Sequence, residues 1–370
     1  MWMRHAVVLV GLMGSLCAAK AQDFRIVDMG AAPNWDLTQL KPGVIAFSDR
    51  AGGAAADGAP NLIRFADWAV KHPAQKKFLS LFPGYVEPPL DDADKSVSGA
   101  KTEAKTDAKA DAKADAKSDT KADPGSDVEK LYVYVAQARF VLDRAPGAID
   151  LSRYVTLPFL EKIDPAIKHK VITAADVVPS KDQHWAGNEN PDRKWCTGRP
   201  ALVCIQSSYK LEGKIPLGIM LVNKLRDSSK KVSDHIDFES ELSALSPADV
   251  DQAGLRELTG LDTPVSGALD QNIFYVNQIM KFGKFLAVFQ GYPDDAGKTV
   301  VTAYMVLAIE AAVLDKKKEF EKVPVLRNLV PAQVLMGQSS FNSGNSISAG
   351  LPQYARNEIR TIAGILEHDK

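Results

Sequence analysis

The sequence predicts an α+β fold: a mostly antiparallel sheet with flanking helices and a C-terminal amphipathic helix. Three observations carry this expectation. Segments rich in β-branched and aromatic residues recur after Val128, divided by turn residues. Helical patterns stand before, between and after these segments instead of alternating with each one, which favours α+β over a wound parallel sheet. No repeat of 20–50 residues is present outside one low-complexity stretch, which argues against a solenoid or propeller.

The chain opens with a short basic start, Arg4 and His5, then an eleven-residue apolar run from Ala6 to Leu16, then Ala19-Lys20-Ala21. That run is too short to span a bilayer, and small residues stand where a signal peptidase cuts, so residues 1–21 read as a signal peptide. Cleavage near Ala21 implies an exported chain, periplasmic or extracellular, with no transmembrane span in the mature protein. A lipidated Cys17 is disfavoured because Leu16 precedes it.

Residues 22–90 form an N-terminal arm, with a short helix expected over Pro60–Val70 and a stop at His72-Pro73. About sixty residues make a marginal core, so this arm is expected to pack on the main body. Residues 91–127 are low complexity, with Lys at 101, 105, 109, 113, 117 and 121 and Asp at 107, 111, 115, 119 and 123. A period of four stacks like charges at i,i+4 on a helix, which is repulsive, and there is no apolar stripe. A disordered linker or loop insertion is expected.

The main domain, 128–370, begins with a strand over Lys130–Leu142. Ile149–Ile163 reads as a helix broken at Pro158. Ala201–Leu211 and Ile215–Leu225 read as a hairpin joined by Glu212-Gly213-Lys214. Ser246-Pro247-Ala248-Asp249 reads as a helix start, with the helix running to Leu258 and stopping at Gly260. Two strands are expected over Ile273–Gln290, interrupted at Lys281-Phe282-Gly283. A third, from Thr299, should pair back onto Phe285–Gln290, placing Tyr304 and Val306 in the core, with its Ala-rich later part able to turn helical. Val323–Ile347 reads as irregular strand. Pro352–Leu366 closes the chain as the amphipathic helix, with Tyr354, Ile359, Ile362 and Ile365 as expected buried positions. A strand run followed by such a helix is compatible with a helix-grip arrangement around an apolar cavity.

Charge excludes one class of partner. Without the leader and the 91–127 stretch, 36 basic and 36 acidic residues remain, so no global positive field attracts nucleic acid. Cys196 and Cys204 are the two cysteines left after processing, eight positions apart across Thr197-Gly198-Arg199-Pro200. In an exported chain they are expected to form a disulfide, and without a second Cys or His pair at suitable spacing no metal site is expected.

Motifs for chemistry are few. Gly291–Thr299 resembles a P-loop but has five residues between its glycines instead of four, and Asp294 and Asp295 would repel phosphate. It reads as a hairpin turn. Gly337-Gln338-Ser339-Ser340-Phe341 lacks the closing glycine of a nucleophile elbow. His169, between Lys168 and Lys170, reads as a solvated surface residue, and His235 as solvated near a helix N-terminus rather than part of a dyad. The polar loop 181–199 concentrates His184, Glu189 and Asp192, which are weak candidates for acid–base chemistry. Trp185 and Trp195 are weak candidates for ligand stacking. The leading expectation is a non-enzymatic envelope protein binding a partner protein or an apolar small molecule, without a cofactor. The alternative is a secreted hydrolase using the 181–199 loop.

Overall fold

The computed structural model describes residues 24–30, 40–49, 62–64, 68, 131–177, 194–197, 202–210, 235–276, 280–310 and 347–368. The expected signal peptide at 1–21, the 91–127 stretch, the strand expected at 215–225, the 338–345 segment and most of the 181–199 loop lie outside them.

Ten strands among the described residues form one sheet: β1 Arg25–Asp28, β2 Val44–Ser48, β3 Ile63–Arg64, β4 Leu131–Leu142, β5 Ile167–Val171, β6 Leu202–Lys210, β7 His235–Leu245, β8 Val265–Val276, β9 Met280–Tyr292 and β10 Asp295–Glu310. Their spatial order is β1-β2-β4-β10-β9-β8-β7-β6-β5, with β3 also on β4. β1 and β2 are parallel; the other pairs are antiparallel. Three α-helices with described bounds accompany the sheet: α1 Leu157–Ile163, α2 Gln252–Thr259 and α3 Ile347–His368.

The long strands follow the expected pattern. β4 is rich in aromatic and β-branched residues, and β10 pairs back onto Phe285–Gln290. The P-loop-like stretch is the tight β9–β10 turn, closed by Gly297 N–H donating to Asp295 Oδ1 at 2.9 Å. β10 stays a strand to Glu310 and does not turn helical within that span.

Several expectations need correction. Leu62 and Ile63 are buried, and Ile63–Arg64 is a strand on β4, not the start of a helix. Pro158 starts α1 instead of breaking a longer helix, because a proline in the first turn gives up no helical hydrogen bond. β6 pairs with β7, a strand that opens at His235, so His235 is not at a helix N-terminus. Ser246 and Asp249 close a turn, and α2 starts later, capped by the Asp251 carboxylate accepting from Gly254 N–H. Its end is as expected: Gly260 adopts φ +67, the left-handed C-cap. β8 reaches back to Val265, and the break before β9 precedes Met280.

The two faces of the sheet carry separate cores. On one, Phe47, Ala136, Ala138, Phe140, Phe289, Val301 and Met305 meet Ala355, Ile359, Ala363 and Leu366 of α3. On the other, Val133, Val135, Phe274, Phe282, Leu286, Val288, Tyr304 and Val306 meet Trp68 and Leu255 and Leu258 of α2. Along α3 the buried set is thus shifted from the expected one. Ile359 is buried and Ile362 and Ile365 are half-buried, but Tyr354 is 38% exposed.

The second face also holds a polar layer with no sequence signature. Lys284 is fully buried and donates to Asn272, its register partner on β8. Arg139 donates through Nε to Thr302 Oγ1 at 3.0 Å and through Nη2 to the Thr259 carbonyl. Tyr304 donates to the Leu258 carbonyl at 2.9 Å and accepts from Gln137 Nε2 at 3.2 Å, tying α2 to the sheet. Removing that hydroxyl leaves two buried partners unsatisfied, so Tyr304→Phe is expected to cost about 1–3 kcal/mol. Denaturant unfolding checks this, and an unchanged midpoint would show that the phenol contributes packing alone.

Candidate functional site

A cavity of about 210 Å³ lies between the α3-facing side of the sheet and helices α1 and α3. Its existence follows from the register. Ala138 on β4 is paired with Ala303 on β10, and Ala303 with Ala287 on β9. Ala287 is in turn paired with Leu269 on β8. Three adjacent strands therefore present alanine in one row, where side chains point to one face at a period of two. Bulkier residues flank the row, with Phe140 and Val301 on one side and Phe285 and Met305 on the other. The helix side supplies Phe159, Leu160, Ile163, Ile359 and Ile362.

The seat of α3 keeps the space open. Arg356 pairs with Asp49 at 3.3 Å and Asp28 at 3.4 Å, and its guanidinium lies 4.6 Å from the centroid of the Phe47 ring. Buried Tyr134 donates to the same Asp49, and burial pushes that phenol well above its usual range. Arg360 donates to the Phe24 carbonyl at 3.2 Å. Arg144 donates to the Leu366 carbonyl at 2.7 Å, where the C-terminal end of the helix is negative. These contacts fix the helix against β1, β2 and the end of β4.

Few polar groups line the cavity, and several gather at its α1–β5 side. Asp164, the C-cap of α1, accepts from Ala166 N–H at 2.9 Å. His169 is half-buried, its Nδ1 lies 2.8 Å from Ser207 Oγ, and desolvation holds its pKa below the ordinary value. This corrects the expectation of a solvated histidine: alternation along β5 turns Lys168 and Lys170 outward and His169 toward the cavity. Glu358 on α3 has a strongly raised carboxyl pKa: desolvation, reinforced by Asp164, pushes it up to about 7. Tyr354 also lines the cavity, and burial pushes its phenol above the usual range.

His184, Trp185, Glu189 and Asp192 lie outside the described residues. Trp195 is buried in the second core, its ring stacked on Phe274 at 4.5 Å. Cys196 and Cys204 are at disulfide distance, with Cα atoms 5.6 Å apart, and Glu241 Oε1 accepts from Cys196 N–H. Among the described residues no three His, Cys, Asp or Glu side chains are grouped to hold a metal ion. No described helix is long and apolar enough to cross a membrane.

No protein-family model matches the chain, and no curated protein does. Among solved structures, it is similar to the Zhui aromatase/cyclase from a Streptomyces species at 10% identity and a TM-score of 0.31, covering 64% of this chain and 94% of that one. It is also similar to norcoclaurine synthase from Thalictrum flavum at 8% identity and a TM-score of 0.27, covering 64% and 89%. At such values neither likeness bears on what this chain binds.

The Glu358 carboxyl has a measurable consequence. Its pKa is raised from 4.5 to about 7, so the folded protein holds a proton that the unfolded chain releases in between. Its contribution to stability is therefore intact below 4.5 and declines as pH rises toward 7, by up to about 3 kcal/mol. Glu358→Gln should lack this decline. Unfolding free energies of both proteins at pH 4.5–8 isolate the group, and parallel curves would show that it is solvated.

Proposed function

We propose that the protein binds a small, mainly apolar molecule in the cavity between the sheet and α3. The observation that carries this reading is the alanine row opposite a firmly seated helix, which leaves about 210 Å³ unfilled beside a well-packed core. Protein interiors seldom tolerate such a void, whereas an apolar cavity of roughly 150 Å³ already admits a benzene ring. An apolar lining with a few polar groups at one side is the usual form of a ligand site.

A protein partner is the weaker choice. Among the described residues Val171 and Tyr354 are the exposed large hydrophobics, and Tyr354 faces the cavity. Two isolated residues make no apolar docking patch. Export belongs to the same proposal: the leader reading of residues 1–21 and the Cys196–Cys204 pair favour an oxidising compartment. The hydrolase reading of the 181–199 loop rests on composition alone, since His184, Glu189 and Asp192 lie outside the described residues.

Ala303→Phe tests the reading by filling the floor of the cavity. Titration with the uncharged probe N-phenyl-1-naphthylamine should give saturable fluorescence with the original protein and at least tenfold weaker binding with the variant. The variant's fold, checked by circular dichroism, should survive, at an overpacking cost of about 1–3 kcal/mol. Equal binding by both proteins would place the probe elsewhere and remove the main support for this site.

A further inference from the structure

The polar side of the cavity indicates what kind of apolar molecule it takes. Glu358 and Asp164 both line the cavity, one from α3 and one from the end of α1, and they are close enough to repel. Among the described residues neither makes a salt bridge with Lys or Arg, and the base beside Asp164 is His169, whose charged form Asp164 favours but burial disfavours more. The cations of α3 are engaged elsewhere: Arg356 with Asp28 and Asp49, Arg360 with the Phe24 carbonyl. Lys168, next to His169, is exposed and donates to the Pro165 carbonyl. The other groups on this side are Tyr354 and His169, the latter held toward its neutral form by burial. A carboxylate pair at one end of an apolar cavity is costly when empty and is relieved by a buried positive charge.

Resting on the binding function proposed above, we infer that the ligand is an amphipathic amine, its apolar body over the alanine row and its ammonium group between Glu358 and Asp164. The same arrangement rejects fatty acids, whose carboxylate would be a third negative charge there. It also makes uptake pH-dependent. As pH rises through the range where Glu358 loses its proton, the site gains a charge that favours an amine and opposes an acid. The other titratable groups facing this region do not reverse that sign. Asp164 comes from the α1–β5 turn. His169 comes from β5 and Tyr354 from α3, with Tyr209 of β6 beside it. Losing a proton makes any of them less positive or more negative.

Displacement of the fluorescent probe by octan-1-ol, octylamine and octanoate, each at about pH 5.5 and 8.5, tests the inference separately from the reading beneath it. At the higher pH octylamine should bind at least tenfold more tightly than octanol, and octanoate at least tenfold more weakly. At the lower pH the advantage of the amine should shrink severalfold. Glu358→Gln should lose most of the advantage of octylamine over octanol, and with it the pH dependence of that advantage. Asp164→Asn serves as a second variant if Glu358→Gln does not fold. If octanol binds and octylamine binds no better at either pH, the amine inference is overturned and the apolar site stands. If none of the three displaces the probe, the binding function fails and the inference fails with it.

Discussion

The distance between α3 and the sheet is the constraint on which the rest of this structure depends. A helix packed on a sheet of large side chains would close the gap. Here a row of alanines across three strands leaves it open, and polar contacts at the β1–β2 edge hold the helix in place. Arg356 is central to that seat, since it reaches two acids and an aromatic ring at once. Asp49 is buried together with Tyr134, so the contact is desolvated and worth more than an exposed ion pair. The neighbouring strands add a second requirement. Gly267 adopts φ +154 at the β8 bulge, and a Cβ there would come within 2.6 Å of Leu151, next to the turn that leads into Tyr154 and α1.

The two faces of the sheet divide the labour. The face toward α2 holds buried hydrogen-bonded pairs, such as Lys284 with Asn272 and Arg139 with Thr302, which fix side-chain positions. The face toward α3 does the opposite. Its polar groups are few and sit at one side, and its small residues leave surface open to the interior. Glu358 illustrates the difference: it lines a space instead of filling one, so its charge is left for whatever enters.

Much of the architecture was legible in the sequence because it rests on local patterns. The β-formers of 131–142 and 299–306, the Gly260 helix stop and the C-terminal amphipathic pattern all identify their elements without tertiary information. Boundaries were less legible where one local rule imitates another. Ser246-Pro247 has the form of a helix cap but closes a turn, because Asp251 supplies a better-placed cap for α2. His235–Leu245 does carry the polar–apolar alternation of a strand, a local signal that the charged residues Asp237, Glu239 and Glu241 obscure. The site was illegible for a similar reason. Ala138, Ala287 and Ala303 are ordinary residues singly; they form a floor only when register aligns them. Glu358 resembles any helix-surface acid until the α1–β5 turn brings Asp164 beside it. The loop 181–199 drew attention by composition alone, which says nothing of convergence.

Methyl-detected NMR during addition of octan-1-ol bears most directly on the central claim, because it reports where a neutral apolar molecule goes. The expected result is saturable shifts, with ligand cross-relaxation, at the methyls of Ala287, Ala303, Ile359 and Ile362, while Val171, on an exposed edge of the sheet, stays unmoved. Shifts that grow without saturation and are as large at Val171 as at the alanine row would contradict the account.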